Sequence, residues 1–172
     1  MTGAELIVDA FGRIHESVHQ AAEGLTSEQL ETRLGERANT IAWLVWHLSR
    51  VQDDHLADVM GTEQVWTSQG WDTRIALPFE ADATGYGQSP DEVAAVRVAS
   101  AEPLLQYYDA VHQQTLQYVA GLADADFDRV VDKRWNPPVT LGVRLVSVLS
   151  DCLQHAGQAA FIRGLLPSGE PA

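Results

Sequence analysis

Three side chains in this 172-residue chain are of metal-ligating types and sit at spacings that helices can exploit. His47 lies in the run Thr40-Ile-Ala-Trp-Leu-Val-Trp-His-Leu-Ser-Arg50, and Asp151 and His155 lie four residues apart about a hundred positions later. A carboxylate and an imidazole at that spacing project from one face of a helix, a turn apart. With His47 supplied by a second helix, they close three corners of a tetrahedron around a divalent ion. The fourth corner stays open, which distinguishes a catalytic zinc-type site from a structural one.

The same residues admit a plainer arrangement. Asp151 is flanked by Val148, Leu149, Cys152 and Leu153, so it is expected in the core, where a carboxylate must be paired or bind a cation. A hydrogen bond to His155, or an ion pair with Arg144 seven residues earlier, meets that need as well as a metal does. His47 falls in a column with Trp43, Arg50 and Asp54 beside the apolar stripe of its helix, where a lone histidine is ordinarily a satisfied core-edge residue. Asp54 is two turns from His47, about 10 Å at 1.5 Å per residue, too far to share one ion but able to contact a substrate. His15 and His19 also stand four apart, but nothing nearby in sequence supplies a clear third ligand, so they read as a solvated pair. His55 and His112 read as core-edge residues. Cys152, on an apolar face, reads as an inert thiol.

Four long helical patterns must position these groups. Ile7, Phe11, Ile14, Val18, Ala21 and Leu25 recur at spacings of four and three, and Gly24 ends the pattern. Asn39 or Thr40 caps a second helix, whose stripe Ile41, Leu44, Leu48, Val51, His55 and Val59 stops at Gly61. Residues 62–89 form a long connection rich in glycine, proline and aromatics; Trp66 and Trp71 there are compatible with lining a pocket mouth or with covering the bundle end. Trp43 and Trp46 are expected in the core. Ser89-Pro90-Asp91-Glu92 starts a helix, and Ser100 reads as a second cap before the stripe Leu104, Tyr108, Val111, Thr115, Tyr118 and Leu122. After a turn-rich stretch from Asp124 to Trp135 and the breaker Pro137-Pro138, a last helix runs roughly from Thr140 to Leu166. It is apolar nearly all round and is therefore expected to be the buried one. No strand-like alternation of useful length is present. The reading is an all-α four-helix bundle, one domain over 1–172, with a long loop between its second and third helices.

Composition narrows the partners. Formal net charge is −13 and Lys133 is the only lysine, with an isoelectric point near 4.6. Such a surface repels phosphate backbones and anionic headgroups, which argues against nucleic-acid and membrane-surface roles. A single cysteine precludes an intrachain disulfide, and the N-terminus lacks the basic start and apolar core of a signal peptide. No apolar run approaches the roughly 20 residues of a membrane helix. A cytoplasmic protein is expected.

The run Asn39-Thr-Ile-Ala-Trp-Leu-Val-Trp-His47-Leu-Ser-Arg-Val-Gln-Asp53, together with the late His155-Ala-Gly-Gln158 helix, resembles the DinB-like superfamily. The similarity covers roughly residues 3–166 and is nearest the branch of mycothiol-dependent maleylpyruvate isomerases and actinobacterial DinB-like proteins. The resemblance implies a four-helix bundle, often a homodimer, that holds zinc or nickel between a histidine of the second helix and two ligands four apart on the last. His47, Asp151 and His155 take those roles by resemblance. This chain departs from the pattern at Asp151, where relatives carry histidine or glutamate; aspartate is one methylene shorter than glutamate. The implied activity is a metal-dependent transferase or isomerase that uses a small thiol such as mycothiol against an electrophilic substrate. The alternative is a non-catalytic bundle, a binding or stress protein with a vestigial metal site.

Overall fold

The computed structural model describes residues 1–167. Its frame is four long helices, each begun and ended by local chemistry that the sequence carries. Helix α1 (Gly3–Ala22) opens on a capping box in which Thr2 and Glu5 satisfy each other's backbone N–H. It buries Phe11, Ile14, Val18 and Ala21 along one stripe. A single turn, α2 (Ser27–Leu30), follows. Helix α3 (Ile41–Met60) begins where the Thr40 hydroxyl accepts from the Trp43 amide at 3.0 Å. It ends at Gly61, whose φ of 68° suits a residue without Cβ.

The connection after α3 is less irregular than its composition suggests. It contains α4 (Val65–Ser68) and α5 (Trp71–Ile75), and Ser89 starts α6 (Pro90–Ala95) with a capping box to Glu92. Trp66 and Trp71 are buried against Tyr107, with ring centroids 4.9 and 6.0 Å from it. They pack on the bundle as a cover. Helix α7 (Glu102–Ala120) has Ala101, not Ser100, at its N-cap. Ser100 instead forms an isolated backbone bridge with Thr26, and the helix starts at Glu102-Pro103 without a side-chain cap. A 3₁₀ turn (Asp124–Asp128) leads into a two-stranded antiparallel ribbon, β1 (Val130–Asp132) and β2 (Val139–Thr140), in which Val130 faces Thr140. Thr140 then caps α8 (Leu141–Leu165).

The bundle closes as a ring. Helix α1 packs on α7 and α8, and α3 packs on the same two, so α1 and α3 occupy alternate corners. The all-α four-helix architecture is the expected one, but the buried helix is α3, not α8. Helix α3 is buried over most of its circumference, His47, Ser49, Arg50, Gln52 and Asp53 included. On α8 the residues Val143, Val146, Leu153 and Phe161 are exposed. Apolar composition therefore misjudged both helices. Polar groups on α3 are tolerated inside because each has a partner: the 62–89 connection folds over His47, Arg50 and Asp53 and bonds them, Gln52 donates to Thr115 of α7 and Ser49 to the Val45 carbonyl, whereas α8 leaves one apolar face in solvent. Among the described residues no helix is long and apolar enough to cross a membrane.

Candidate metal centre

Helices α3 and α8 bring His47, Asp151 and His155 together: one ligand atom from each lies within 4.8 Å of the other two. Asp151 is not in the core as its neighbours suggested. It sits half-buried at the mouth between the helices, because Leu153 beside it faces solvent. Arg144 does not reach it either. That guanidinium donates to Asp132 Oδ2 at 3.1 Å and to His55 Nδ1 at 2.7 Å, so it is engaged two turns away.

Both imidazoles are presented in the form a metal needs. His47 Nδ1–H donates to the backbone carbonyl of Thr84, which leaves the Nε2 lone pair free. His155 Nδ1–H donates to Gln158 Oε1 at 3.1 Å, again leaving Nε2 free. His155 Nε2 stands 3.6 Å from Asp151 Oδ1, beyond hydrogen-bond range. The second carboxylate oxygen, Asp151 Oδ2, is buried without a hydrogen-bond partner. A nitrogen–nitrogen–oxygen set with a gap between its members and one orphaned carboxylate oxygen fits a divalent cation of the zinc class.

Ring packing fixes these orientations. Trp43 stacks on His47 with centroids 4.4 Å apart and planes at 16°, and its indole N–H donates to Gln88 Oε1 at 2.7 Å. His47 and His155 meet edge to face at 4.8 Å. Gly85 makes the loop's approach possible: its φ is +91°, and a Cβ there would lie 2.7 Å from His47 Nδ1.

Electrostatics divide the two histidines. Burial lowers the His47 pKa, and the Thr84 carbonyl only partly offsets it, so the ring is held neutral. Burial opposes charge on His155 too, but Asp151 and Gln158 outweigh it and raise its pKa. Burial likewise raises Asp151, yet the imidazoles of His155, His47 and His55 prevail and keep it below the usual carboxylate range.

The loop that carries Thr84 and Gly85 is anchored by groups that sequence reasoning did not assign a role. Arg50, fully buried, donates to the carbonyls of Ala83 at 3.0 Å and Ala81 at 3.2 Å and to Gln64 Oε1 at 2.7 Å. Asp53 accepts the amides of Val65 and Trp66, each at 2.8 Å, and the Tyr107 hydroxyl at 2.9 Å. Their spacing of three on α3 was the available signal; the partners lie in loop backbone, which no side-chain pattern reveals. Asp54 is engaged by Gln64 Nε2 at 2.8 Å. Cys152 is wholly buried, and burial pushes its thiol far above the ordinary range, which removes it as a nucleophile.

His15 and His19 have a third group after all. Asp109 of α7, more than ninety positions along for one histidine and ninety for the other, places Oδ1 2.7 Å from each Nε2.

A helical bundle of this architecture, with a histidine from its buried helix facing an Asp–His pair four apart on its last, is a DinB-like protein. The chain belongs to the mycothiol-S-transferase family, whose model matches residues 6–167. A solved structure of a conserved protein from Enterococcus faecalis is similar throughout, with a TM-score of 0.88 and 30% identity over 95% of this chain and 96% of that one. No curated protein matches.

Proposed function

We propose that the protein is a metal-dependent transferase that joins a low-molecular-weight thiol of the mycothiol type to an electrophilic substrate. The observation that carries this reading is the convergence of His47, Asp151 and His155 with both Nε2 lone pairs free and Asp151 Oδ2 unpartnered. Membership in a family described as mycothiol S-transferases supplies the substrate class. Zinc is the ion proposed, since a borderline-soft cation suits two imidazoles, one carboxylate and an incoming sulfur. When bound, such an ion lowers the pKa of a thiol at its open position, so that the thiolate is available near neutral pH.

The chain's own residues do the rest. Thr84 and Gln158 hold the two imidazoles in their ligating tautomers. Asp151 contributes the negative charge that favours a cation over water. Each tautomer-fixing residue also lines a groove. Gln158, with Arg37, Asn39, Gln154 and Phe161, borders one of about 580 Å³. Thr84, with Asp54, Tyr86, Trp135 and Ser147, borders another of about 470 Å³. The two grooves lie toward opposite ends of α8, each bordered by a residue that hydrogen-bonds one of the imidazoles, which suits a two-substrate reaction with thiol in one and electrophile in the other. In the transfer the thiol gives its proton to solvent and its sulfur forms a bond to the electrophilic carbon, while the bond from that carbon to its leaving group breaks and the leaving group departs with the electron pair. Protein purified without an affinity tag is expected to hold zinc near one equivalent at this trio, to lose it in His155→Ala, and to consume thiol only when an electrophile is present. Full metal retention in His155→Ala removes the reading; metal without turnover across a broad electrophile panel leaves a binding protein with a vestigial site.

A further inference from the structure

The opposite side of the bundle carries a second cluster of ligating side chains, which the proposed reaction does not use. His15 and His19 project from one face of α1, and Asp109 reaches them from α7 across a helix pair that packs directly. We infer that His15, His19 and Asp109 form a second divalent-cation site, of the zinc class, that ties α1 to α7.

The donor set is the same as at the first site: two imidazole nitrogens and one carboxylate oxygen, all within 4.8 Å of one another. It is also convergent on one point. Asp109 Oδ1 accepts hydrogen bonds of 2.7 Å from both His15 Nε2–H and His19 Nε2–H, so the carboxylate oxygen gathers the two imidazoles at one place, where an ion would replace those two protons. Tetrahedral ligands at about 2.0–2.1 Å from zinc lie roughly 3.3 Å from each other. An ion therefore needs these contacts to open by only about half an ångström, which side-chain torsions provide. Among the described residues Asp109 has no Arg or Lys partner; its ion-pair partners are these two histidines.

The cluster is built as well as convergent. His15 is packed among rings, with centroids 4.4 Å from His112, 5.7 Å from Tyr108 and 4.5 Å from His19. Those contacts restrict the ring rotations a ligand must give up on binding. The three side chains are 27–45% exposed, so an ion reaches them from solvent without local unfolding. A groove of about 480 Å³ opens at His19 and Asp109, and Glu23 and Glu102 on its walls add negative charge that attracts a cation.

Zinc titration of chelator-stripped, untagged full-length protein tests the site, with stoichiometry read by competition against a chromophoric chelator. Wild type is expected to bind two equivalents, and the double variant His15→Ala/His19→Ala one. In a His47→Ala/His155→Ala background one equivalent is expected to remain, to raise the thermal midpoint, and to disappear on adding Asp109→Asn. Asp109→Asn, which keeps the side chain's shape, serves alone if the double alanine variant does not fold. A stoichiometry unchanged by loss of His15 and His19, or by Asp109→Asn, overturns the inference. A single wild-type equivalent that survives His155→Ala but not His19→Ala supports this site and refutes the trio on α3 and α8, so the two assignments fail separately.

Discussion

Gly85 passes so close to His47 that a Cβ on it would lie 2.7 Å from the imidazole Nδ1 and 3.0 Å from the Trp46 ring. The close approach lets the preceding carbonyl, that of Thr84, accept a hydrogen bond from Nδ1–H and fix the tautomer. Gly85→Ala must displace either the loop or the histidine, and it also puts a side chain at φ +91°. We expect it to cost about 1–3 kcal/mol of stability and to weaken metal binding about 10–100-fold, as loss of a ligand-orienting contact does. Thermal melting with and without zinc, beside chelator competition, measures both. A variant with wild-type affinity would show that the Thr84 contact does not orient His47.

Asp151 donates charge as well as an oxygen. Asp151→Asn keeps the shape and removes the charge, so it is expected to abolish stoichiometric metal at this trio. It is also expected to bring the His155 pKa down, because Asp151 is a principal cause of its elevation. Nuclear magnetic resonance titration of the His155 ring in metal-free protein reads the second effect independently of the first. Asp151→Glu keeps the charge on a side chain one methylene longer and is expected to retain metal.

Acidification should release the metal, and the shifts fix where. Ligation requires neutral imidazoles. His47 is depressed and stays neutral as pH falls, whereas His155 is raised above its usual 6.5 and protonates first. Affinity is therefore expected to fall as pH drops through the elevated His155 value, so the loss begins above pH 6.5. In metal-free protein the sign for this residue reverses. A raised folded pKa contributes stability that is full below the unfolded value and is lost as pH rises through the folded one. Chelator competition and melting curves from pH 5 to 8.5 test the pair of trends; metal affinity that is flat down to pH 6 would contradict the first.

The sequence made the frame and the trio legible for different reasons. Thr40 and Gly61 delimit α3, and Asp151 and His155 share a face because helix geometry alone puts them there. Asp109 was invisible because its partnership with His15 and His19 is a matter of which helices pack, and no local period encodes that. The depth of α3 was misread for a related reason. Arg50 and Asp53 look like surface residues until the partners that neutralise them are known, and those are carbonyls and amides of a loop with no pattern of its own.

That buried pair is where stability and the site meet. Arg50 is fully buried and spans the carbonyls of Ala81 and Ala83, the amide of Gln64 and, at 3.7 Å, the Asp53 carboxylate. Arg50→Met fills similar volume but leaves those acceptors without their donor and the buried Asp53 carboxylate without its neighbouring cation. Breaking one side of a buried charged network costs about 3–5 kcal/mol, and part of that falls on the loop segment that delivers Thr84 to His47. The expected outcome is a large drop in the urea midpoint together with weakened metal binding, even though Arg50 touches no proposed ligand. Arg50→Lys supplies the charge but not the planar fork that reaches several acceptors at once, so it should recover only part of the loss. If Arg50→Met loses stability but the surviving folded protein binds zinc as tightly as wild type, the loop's hold on His47 does not depend on the arginine.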